Sequence, residues 1–411
     1  MIVQRVEKHL IKQNNSYYPM FCDFTHKSKN LYNHANYLVR NEFTKNNKWL
    51  RYNDLDKILK ADLEFDDYRQ MPTAQAAQQI LRLLDKNWQS FFKAIKDWSK
   101  NKDKYLGRPK LPKYKPKDGK QILILTNQNV KLKEGVLYFP KSFNDFKVKP
   151  KFIEKENFVS FQQVRVIPQY KTFVLEFVYN IEIPDTTLSD NGRYLSVDIG
   201  LDNLATVVNN KGLKPFVING KGLKSINKYY NKQVSHYREV AKRMNNKDYT
   251  TRMGTLTRKR NQKIDDYMHK ASKFLIDYAI ENNFNTIVIG NNKGWKQESS
   301  MSKKVNQSFV GIPHKRFIEM VQYKAQTVGI NVILTEESYT SGTSFLDNET
   351  PVKANYNKSR RVHRGLFVSN KGIKINADVN GAYQIMRKVF PNVKSDGIKG
   401  VALHPIRVSV A

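Results

Sequence analysis

Residues 194–200 read YLSVDIG, a short apolar run that delivers an aspartate, Asp198, at its end and then turns at a glycine. Two further apolar runs follow within a few residues, LATVVNN (204–210) and PFVING (215–220), before the pattern changes to long helices. The segment GTLTRKRNQKIDDYMHKASKFLIDYAIENN (254–283) repeats apolar residues at helical spacing, burying Ile264, Tyr267, Ala271, Phe274 and Tyr278, and leads into a strand, TIVIG (286–290). A helix beginning near Pro313 follows, with Ile318, Val321, Ala325 and Val328 on one face and Gly329 as its stop. Strand INVILTEE (330–337) and a last helix opening in INADVNGAYQIMRKV (375–389) complete the order. Three strands joined by tight turns, then alternating helix and strand, predict an RNase H-like mixed sheet with flanking helices over 191–411. His269 is expected in a helix facing the sheet, as a core or backbone-contacting residue.

Outward from that block the composition changes. IPDTTLSDNGR (183–193) reads as a linker. Upstream, QILILT, VKLKEGVLYF, VSFQQVRVI and YKTFVLEFVYNIEI alternate with period two and predict a small β-barrel, to which the N-terminal MIVQRVEKHLI contributes a strand. Between that strand and the rest lie helices, the clearest being TAQAAQQILRLLDKNWQSFFKAIKDW (73–98). Thr73 is its expected N-cap, and Ala77, Ile80, Leu84, Trp88, Phe91, Ile95 and Trp98 form its core stripe. The fold class is therefore multidomain: α/β, β-barrel and helical bundle, the bundle inserted into the barrel.

Lys and Arg number 71 against 37 Asp and Glu, a formal charge of +34, and such an excess asks for a polyanionic partner, nucleic acid above all. The segment NKDKYLGRPKLPKYKPKDGK (101–120) concentrates it, with prolines that block helix. It reads equally as a solvated linker and as a basic arm whose Arg108, Lys110, Lys113 and Lys115 contact phosphates. A single cysteine, Cys22, excludes an internal disulfide and any cysteine-based zinc site. No apolar run approaches a membrane span and no signal-peptide pattern opens the chain, so the expected location is cytoplasmic, with nucleoid association when bound to DNA.

Phosphodiester hydrolysis on an RNase H-like sheet calls for convergent carboxylates that hold divalent ions about 4 Å apart. The natural sources are the ends of the first and fourth strands and the start of the last helix. Asp198 meets the first; a turn or capping role competes with it. Asp378 meets the third, where favouring the helix dipole is the competing role. The second position is Gly290, which has no carboxylate, and Asn291 and Asn292 are poor metal ligands.

VDIGLDNLATVV, VIGNNKGW, EESYTSGTSFLDNE and INADVNGAYQI, in that order, resemble the RuvC-like domain of the TnpB family, transposon-encoded RNA-guided nucleases related to type V CRISPR effectors. LGRPKLPKYK and QAAQQIL resemble the family's N-terminal half. The resemblance implies a WED-like barrel from 1–22 and 105–190, a REC-like helical insertion at 23–104, and a RuvC-like domain at 191–411 with a lid and degenerate finger near 338–372. It implies Mg2+ in a two-metal site, a guide RNA from the transposon end, and double-stranded target DNA with a short adjacent motif. No membrane partner is expected, and none of the family's finger cysteines is present in TSGTSFLDNE or RRVHRGLFVSNKG, so no zinc is expected.

The family's usual glutamate at the fourth strand is Gly290 here. Either the missing ligand comes from INVILTEE, whose neighbouring strand lies about 4.8 Å away, through Glu337 or Glu336, or the protein is a nuclease-dead RNA-guided binder acting as a repressor. A guide-free resolvase is a third possibility. By alternation only one of the two glutamates points to the site, and Glu337 is preferred for lying nearer the strand's mouth. Asp202 and Asp347 are further acidic candidates, Arg361 and Arg364 candidate phosphate contacts, and Tyr339 a packing residue.

Overall fold

The computed structural model describes residues 1–185, 187–292, 307, 310–363, 365–393 and 403–410. Two compact units divide it, Met1–Glu182 and Ile183–Ala411. In the first, β1 (Ile2–Lys12) is followed by α1 (Tyr18–Asn46), α2 (Tyr52–Ala61) and α3 (Ala74–Lys100). Six strands come next: β2 (Leu123–Thr126), β3 (Lys131–Lys133), β4 (Val136–Tyr138), β5 (Lys147–Val148), β6 (Phe158–Gln169) and β7 (Thr172–Glu182). The strands expected in a small barrel form two hydrogen-bonded sheets, β1-β7-β6-β2 and β3-β4-β5. β1 pairs with β7 along its whole length, from Ile2↔Glu182 to Lys12↔Thr172, so the helices interrupt a single sheet.

Helix α3 forms where its pattern predicts. Thr73 Oγ1 accepts the Ala76 amide at 3.1 Å, satisfying one of the unpaired N–H groups of the first turn. Ala77, Ile80, Leu84 and Trp88 are buried, and the Trp88 indole donates to Asn36 Oδ1 at 3.0 Å, as packing rather than base stacking requires.

The basic arm after α3 is not a loose linker. Side chains of α1 grip its backbone: Asn36 Nδ2 and Arg40 Nη2 donate to the Pro112 carbonyl at 3.1 and 2.5 Å, Asn33 both donates to and accepts from the Lys115 backbone, and Lys29 Nζ donates to the Lys117 carbonyl at 2.8 Å. Prolines have already removed amides that would need partners. The arm's Arg108, Lys110 and Lys113 remain exposed, while Lys115 is half-buried with its ammonium 5.4 Å from the Tyr32 ring.

The second unit carries β8 (Tyr194–Ile199), β9 (Asn203–Asn209), β10 (Phe216–Asn219), α4 (Lys221–Asn245), α5 (Thr251–Glu281), β11 (Thr286–Gly290) and α6 (His314–Thr327). Then come β12 (Asn331–Thr335), β13 (Leu366–Val368), β14 (Lys374–Asn376), α7 (Ala377–Val389) and β15 (Ile406–Val408). Six strands make one mixed sheet in the order β12-β11-β8-β9-β10-β15. β8, β9 and β10 are antiparallel neighbours, whereas β11 and β12 run parallel to β8 because helical crossovers return them to the same edge. The edge strand β15, parallel to β10, has no counterpart in the sequence reading.

The two faces of this sheet have different covers. Leu195, Val197 and Ile199 of β8 pack into a core with Leu275 of α5 and Phe317 and Val321 of α6. The opposite face holds Val208, Phe345 and Tyr383 against α7. Ile264, Tyr267 and Ala271 are buried as expected, with Phe274 and Tyr278 partly buried beside them. Val328 departs from its expected face: it follows the last turn of α6 and is 37% exposed, one residue before Gly329 at φ +76°. His269 is exposed rather than buried against the sheet, and its carbonyl accepts from Lys324 Nζ at 2.7 Å.

The cysteine-free stretch that precedes α7 is organised by buried polar groups. Arg387 donates to the Phe345, Glu349 and Val393 carbonyls and to Asn348 Oδ1, with its guanidinium 4.2 Å from the Phe345 ring. Asn380 accepts the Phe345 amide and donates to the Thr343 carbonyl, and Glu349 binds Ser344 N, Arg360 and Asn370. Removing the guanidinium would orphan several buried acceptors, each costing about 1–3 kcal/mol, partly relieved by water. Arg387→Ala is therefore expected to destabilise the second unit by about 2–4 kcal/mol in urea unfolding, and Arg387→Lys to recover little because a point cation cannot span four acceptors.

Candidate active site

Strand alternation decides which side chains meet. On β8, Leu195, Val197 and Ile199 point into the core of α5 and α6, so Asp198 points to the opposite face, toward α7. One step past the Val197↔Ile289 pair, Gly290 stands beside Asp198 with its missing side chain on that same face. On the other flank Gly290 is in register with Thr335, and Glu337, two residues further on, keeps Thr335's side.

Glu337 fills the space that Gly290 leaves. A Cβ built on Gly290 would sit 2.7 Å from Glu337 Cγ and 2.7 Å from Ile385 Cδ1 of α7, and closer still to Glu337 Oε1. Asn292 fixes the carboxylate: its Nδ2 donates to Glu337 Oε2 at 3.0 Å, and its Oδ1 accepts the Glu337 amide at 2.9 Å. Glu337 Oε1 is buried with no partner among the described residues. Glu336 takes the other side, accepting from Lys388 Nζ at 2.9 Å and from Ser338 N at 2.7 Å, with 58% of its side chain exposed.

Asp378 lies in the first turn of α7, whose N-cap Asn376 Oδ1 accepts the Asp378 and Val379 amides. Its carboxylate accepts from Asn203 Nδ2 at 2.9 Å and is paired with Arg361 Nη2 at 3.2 Å. One turn further along α7, a Cβ on Gly381 would lie 3.1 Å from Asp198 Oδ2, so a glycine lets the helix approach the aspartate closely.

Asp198 feels both of the other acids. The Asp198 carboxyl is held well above the usual carboxylate range, first by burial, then by the charges of Glu337 and Asp378, with Arg361 opposing. Burial, then the charge of Glu336, pushes Glu337 up to about 7 against the pull of Lys388. Glu336 is lowered, chiefly by its hydrogen bond from Lys388. No three acidic, His or Cys side chains among the described residues close to metal-holding distance in this conformation, in which Arg361 supplies the positive charge on Asp378. The donor chemistry nevertheless suits a hard divalent cation: oxygen ligands only, one of them a buried carboxylate oxygen without a proton donor.

The remaining candidates fall elsewhere. Asp202 is ion-paired with Lys224, and Asp347 Oδ2 accepts the Asn370 amide. Arg361, expected on phosphate, sits on Asp378, and Arg364 lies outside the described residues. Tyr339 packs edge-on against Tyr356, with ring centroids 5.8 Å apart. Sequence reasoning missed Asn292, Gly381 and Asn203 as organisers of the site. Asn292 carried a signal, since it follows the empty strand end at Gly290 where a side-chain amide can reach a neighbouring strand.

A family model described as a probable transposase (OrfB_IS605) matches residues 176–296, and a Cas12f1-like TNB domain model matches residues 314–385. The TnpB-like protein ORF457 of Acidianus two-tailed virus is 24% identical over 203 residues, 48% of this chain and 42% of that protein, so the match spans less than half the relative's length. Among solved structures, a Cas12f1 chain in a complex with sgRNA and target DNA matches over 93% of this chain and 98% of its own at 14% identity and a TM-score of 0.37. A CRISPR-Cas12f ternary complex matches over 91% and 82% at 14% identity and a TM-score of 0.38. The first family model takes in Asp198 and Gly290 and the second Glu337 and Asp378, so the acids of one sheet face are divided between two matches in chain order, and the chain is similar to a TnpB-like protein over the part they share.

Proposed function

We propose that the chain is an RNA-guided DNA endonuclease of the TnpB type whose RuvC-like site takes its glutamate from the end of β12. The observation that carries this reading is Glu337, turned into the space beside Gly290 on the face that also bears Asp198 and Asp378. A discarded site would have no physical reason to bury an unpartnered carboxylate oxygen next to a second buried acid, an arrangement that costs stability.

Asp198, Glu337 and Asp378 would hold Mg2+, which when bound stabilises the attacking and leaving oxygens of phosphodiester hydrolysis. Asn292 holds one Glu337 oxygen and leaves the other for coordination. Arg361 stands at the edge of the site, able to exchange Asp378 for a substrate phosphate. On this reading the first unit supplies a WED-like sheet with a REC-like helical insertion, and its strapped arm offers Arg108, Lys110, Lys113 and Lys115 to the nucleic-acid backbone. The guide RNA reads sequence by pairing, while the protein recognises backbone and a short target-adjacent motif. No helix among the described residues is long and apolar enough to cross a membrane.

The test is to co-express the protein with its element-end RNA and incubate the complex with matched double-stranded DNA and Mg2+. Cutting that needs both RNA and metal is expected. Tight target binding without cutting would replace this reading with that of an RNA-guided repressor, and cutting of branched DNA without RNA would point to a resolvase.

A pH prediction follows from Glu337. Its folded pKa of about 7 lies above the ordinary carboxylate value of 4.5, so between those values the folded state holds a proton that the unfolded state has lost. Glu337 therefore lowers stability as pH rises from about 4.5 to about 7, at up to about 1.4 kcal/mol per pH unit, and adds no further slope above. Without divalent ions, Glu337→Gln should lose stability less steeply than wild type between pH 5 and 7 in thermal melts. Mg2+ should flatten the wild-type curve alone.

A further inference from the structure

Helices α4 and α5 form a hairpin whose charge is out of proportion to its length. Residues 221–263 hold thirteen Lys and Arg against Glu239 and Asp248, about a third of the chain's net charge in about a tenth of its residues. Those two acids are already committed, Glu239 to Arg243 at 2.6 Å and Asp248 to Lys242 at 3.3 Å, and the next along α5, Asp265, pairs with Arg316 at 2.9 Å.

Between the two helices lies a cleft of about 860 Å³. Ile226, Leu256 and Tyr230 form its apolar side. Tyr230 is fixed by a 3.0 Å contact between its hydroxyl and Thr257 Oγ1 and by Arg260 against its ring, and Arg260 is itself anchored on Asn227 Oδ1 and the Gly311 carbonyl. Tyr229 is 61% exposed at the rim. Lys259 and Lys263, both exposed and without an acidic partner among the described residues, project one helical turn apart on the same wall.

We propose that this cleft binds single-stranded DNA, stacking an unpaired base on Tyr229 and setting successive phosphates on Lys259 and Lys263. A duplex offers no free base face to an exposed ring, whereas an unpaired base does, and uncompensated lysines at its border complete a single-strand site. The choice of DNA rests on the nuclease reading above, and one wall of the cleft, α4, opens beside the turn that follows Asp198's strand. Helix α4 opens at Gly220, whose amide donates to the Asp202 carbonyl at 2.8 Å, and Lys224 in its first turn pairs with the Asp202 side chain. Asp202 lies in the turn directly after Asp198's strand, so the start of α4 stands beside that turn.

The test uses the RNA-free full chain and fluorescence anisotropy with a thymidine 20-mer, a uridine 20-mer and a 20-base-pair duplex. Tyr229→Ala is expected to weaken the thymidine oligomer about tenfold and the duplex hardly at all, with Tyr229→Phe close to wild type. Lys259→Gln with Lys263→Gln should reduce the slope of log affinity against log salt by about 1.4, two phosphate contacts' worth. Photocrosslinking of 5-iododeoxyuridine DNA should mark Tyr229. Unchanged single-strand affinity in the Tyr229→Ala chain, an equal loss for the duplex, or a tighter grip on the uridine oligomer would each overturn the proposal. These readouts need neither guide nor cutting: a chain that fails to cleave but shows the Tyr229 effect keeps the cleft and loses the nuclease reading, and the converse result does the opposite.

Discussion

Glu337→Gln is expected to lower guided DNA cleavage by about a thousandfold or more, and Glu336→Gln to leave it within about twofold. The two residues are adjacent and chemically identical, so the difference arises only from the side of the strand each takes. Glu337 faces Asp198 and presents a buried unpartnered oxygen, while Glu336 is turned outward onto Lys388. A preorganised electrostatic group at a reacting phosphate contributes on the order of 10²–10³ in rate, and the loss of a metal ligand should reach or exceed that. Asn292→Ala should fall between, at about 10–100-fold, because it frees the carboxylate to rotate without deleting it. A cleavage assay under single-turnover conditions separates the outcomes. Equal activity in wild type and Glu337→Gln would remove Glu337 from the chemistry.

Asp198→Asn is expected to abolish cutting and, in the absence of divalent ions, to raise the melting temperature by a few degrees. The Asp198 carboxylate is disfavoured by burial and by two neighbouring acids, with Arg361 compensating only in part. An amide of the same shape keeps the packing under Gly381 and removes the charge. A shift of this size corresponds to about 1–2 kcal/mol in a unit of this length. Loss of activity accompanied by loss of stability would mean that Asp198 serves the fold. Target binding by the Asn variant should be retained, which makes it the natural reference for occupancy without cleavage.

Much of the second unit was legible because its local signals agree with its tertiary structure. The apolar runs at 194, 204, 215, 286 and 330 all became strands of one sheet, and the helix stop at Gly329 lies where residue chemistry places it, as does the Thr73 cap in the first unit. Asp198 and Asp378 were visible because the end of a strand and the first turn of a helix are fixed by the fold. Glu337 was reachable only as one of a pair, since the sequence gives alternation but not the last step of register beyond a strand's end. The exposure of His269 was misjudged because a long helix turns one side to the sheet and one to solvent, and helical spacing alone does not assign every residue on the border. Short β15 offers three residues at an edge, too few for a periodic signal. The arm at 101–120 showed its charge but not the asparagines and arginine of α1 that grip its backbone from about seventy to ninety residues away.

The close fit of Glu337 against Gly290 also bears on how such a site can change over generations. With Glu337 in place, a glutamate at 290 would force the Glu337 and Ile385 side chains to shift, because its first side-chain carbon would sit 2.7 Å from Glu337 Cγ and from Ile385 Cδ1. With Glu337 gone and glycine still at 290, the sheet face is left one acid short. Exchanging one arrangement for the other therefore takes changes at both positions or a shift of the neighbouring side chains. On the proposed reading, a carboxylate needed at one point in space is supplied from a different position in the chain, which column-by-column comparison of sequences would score as lost.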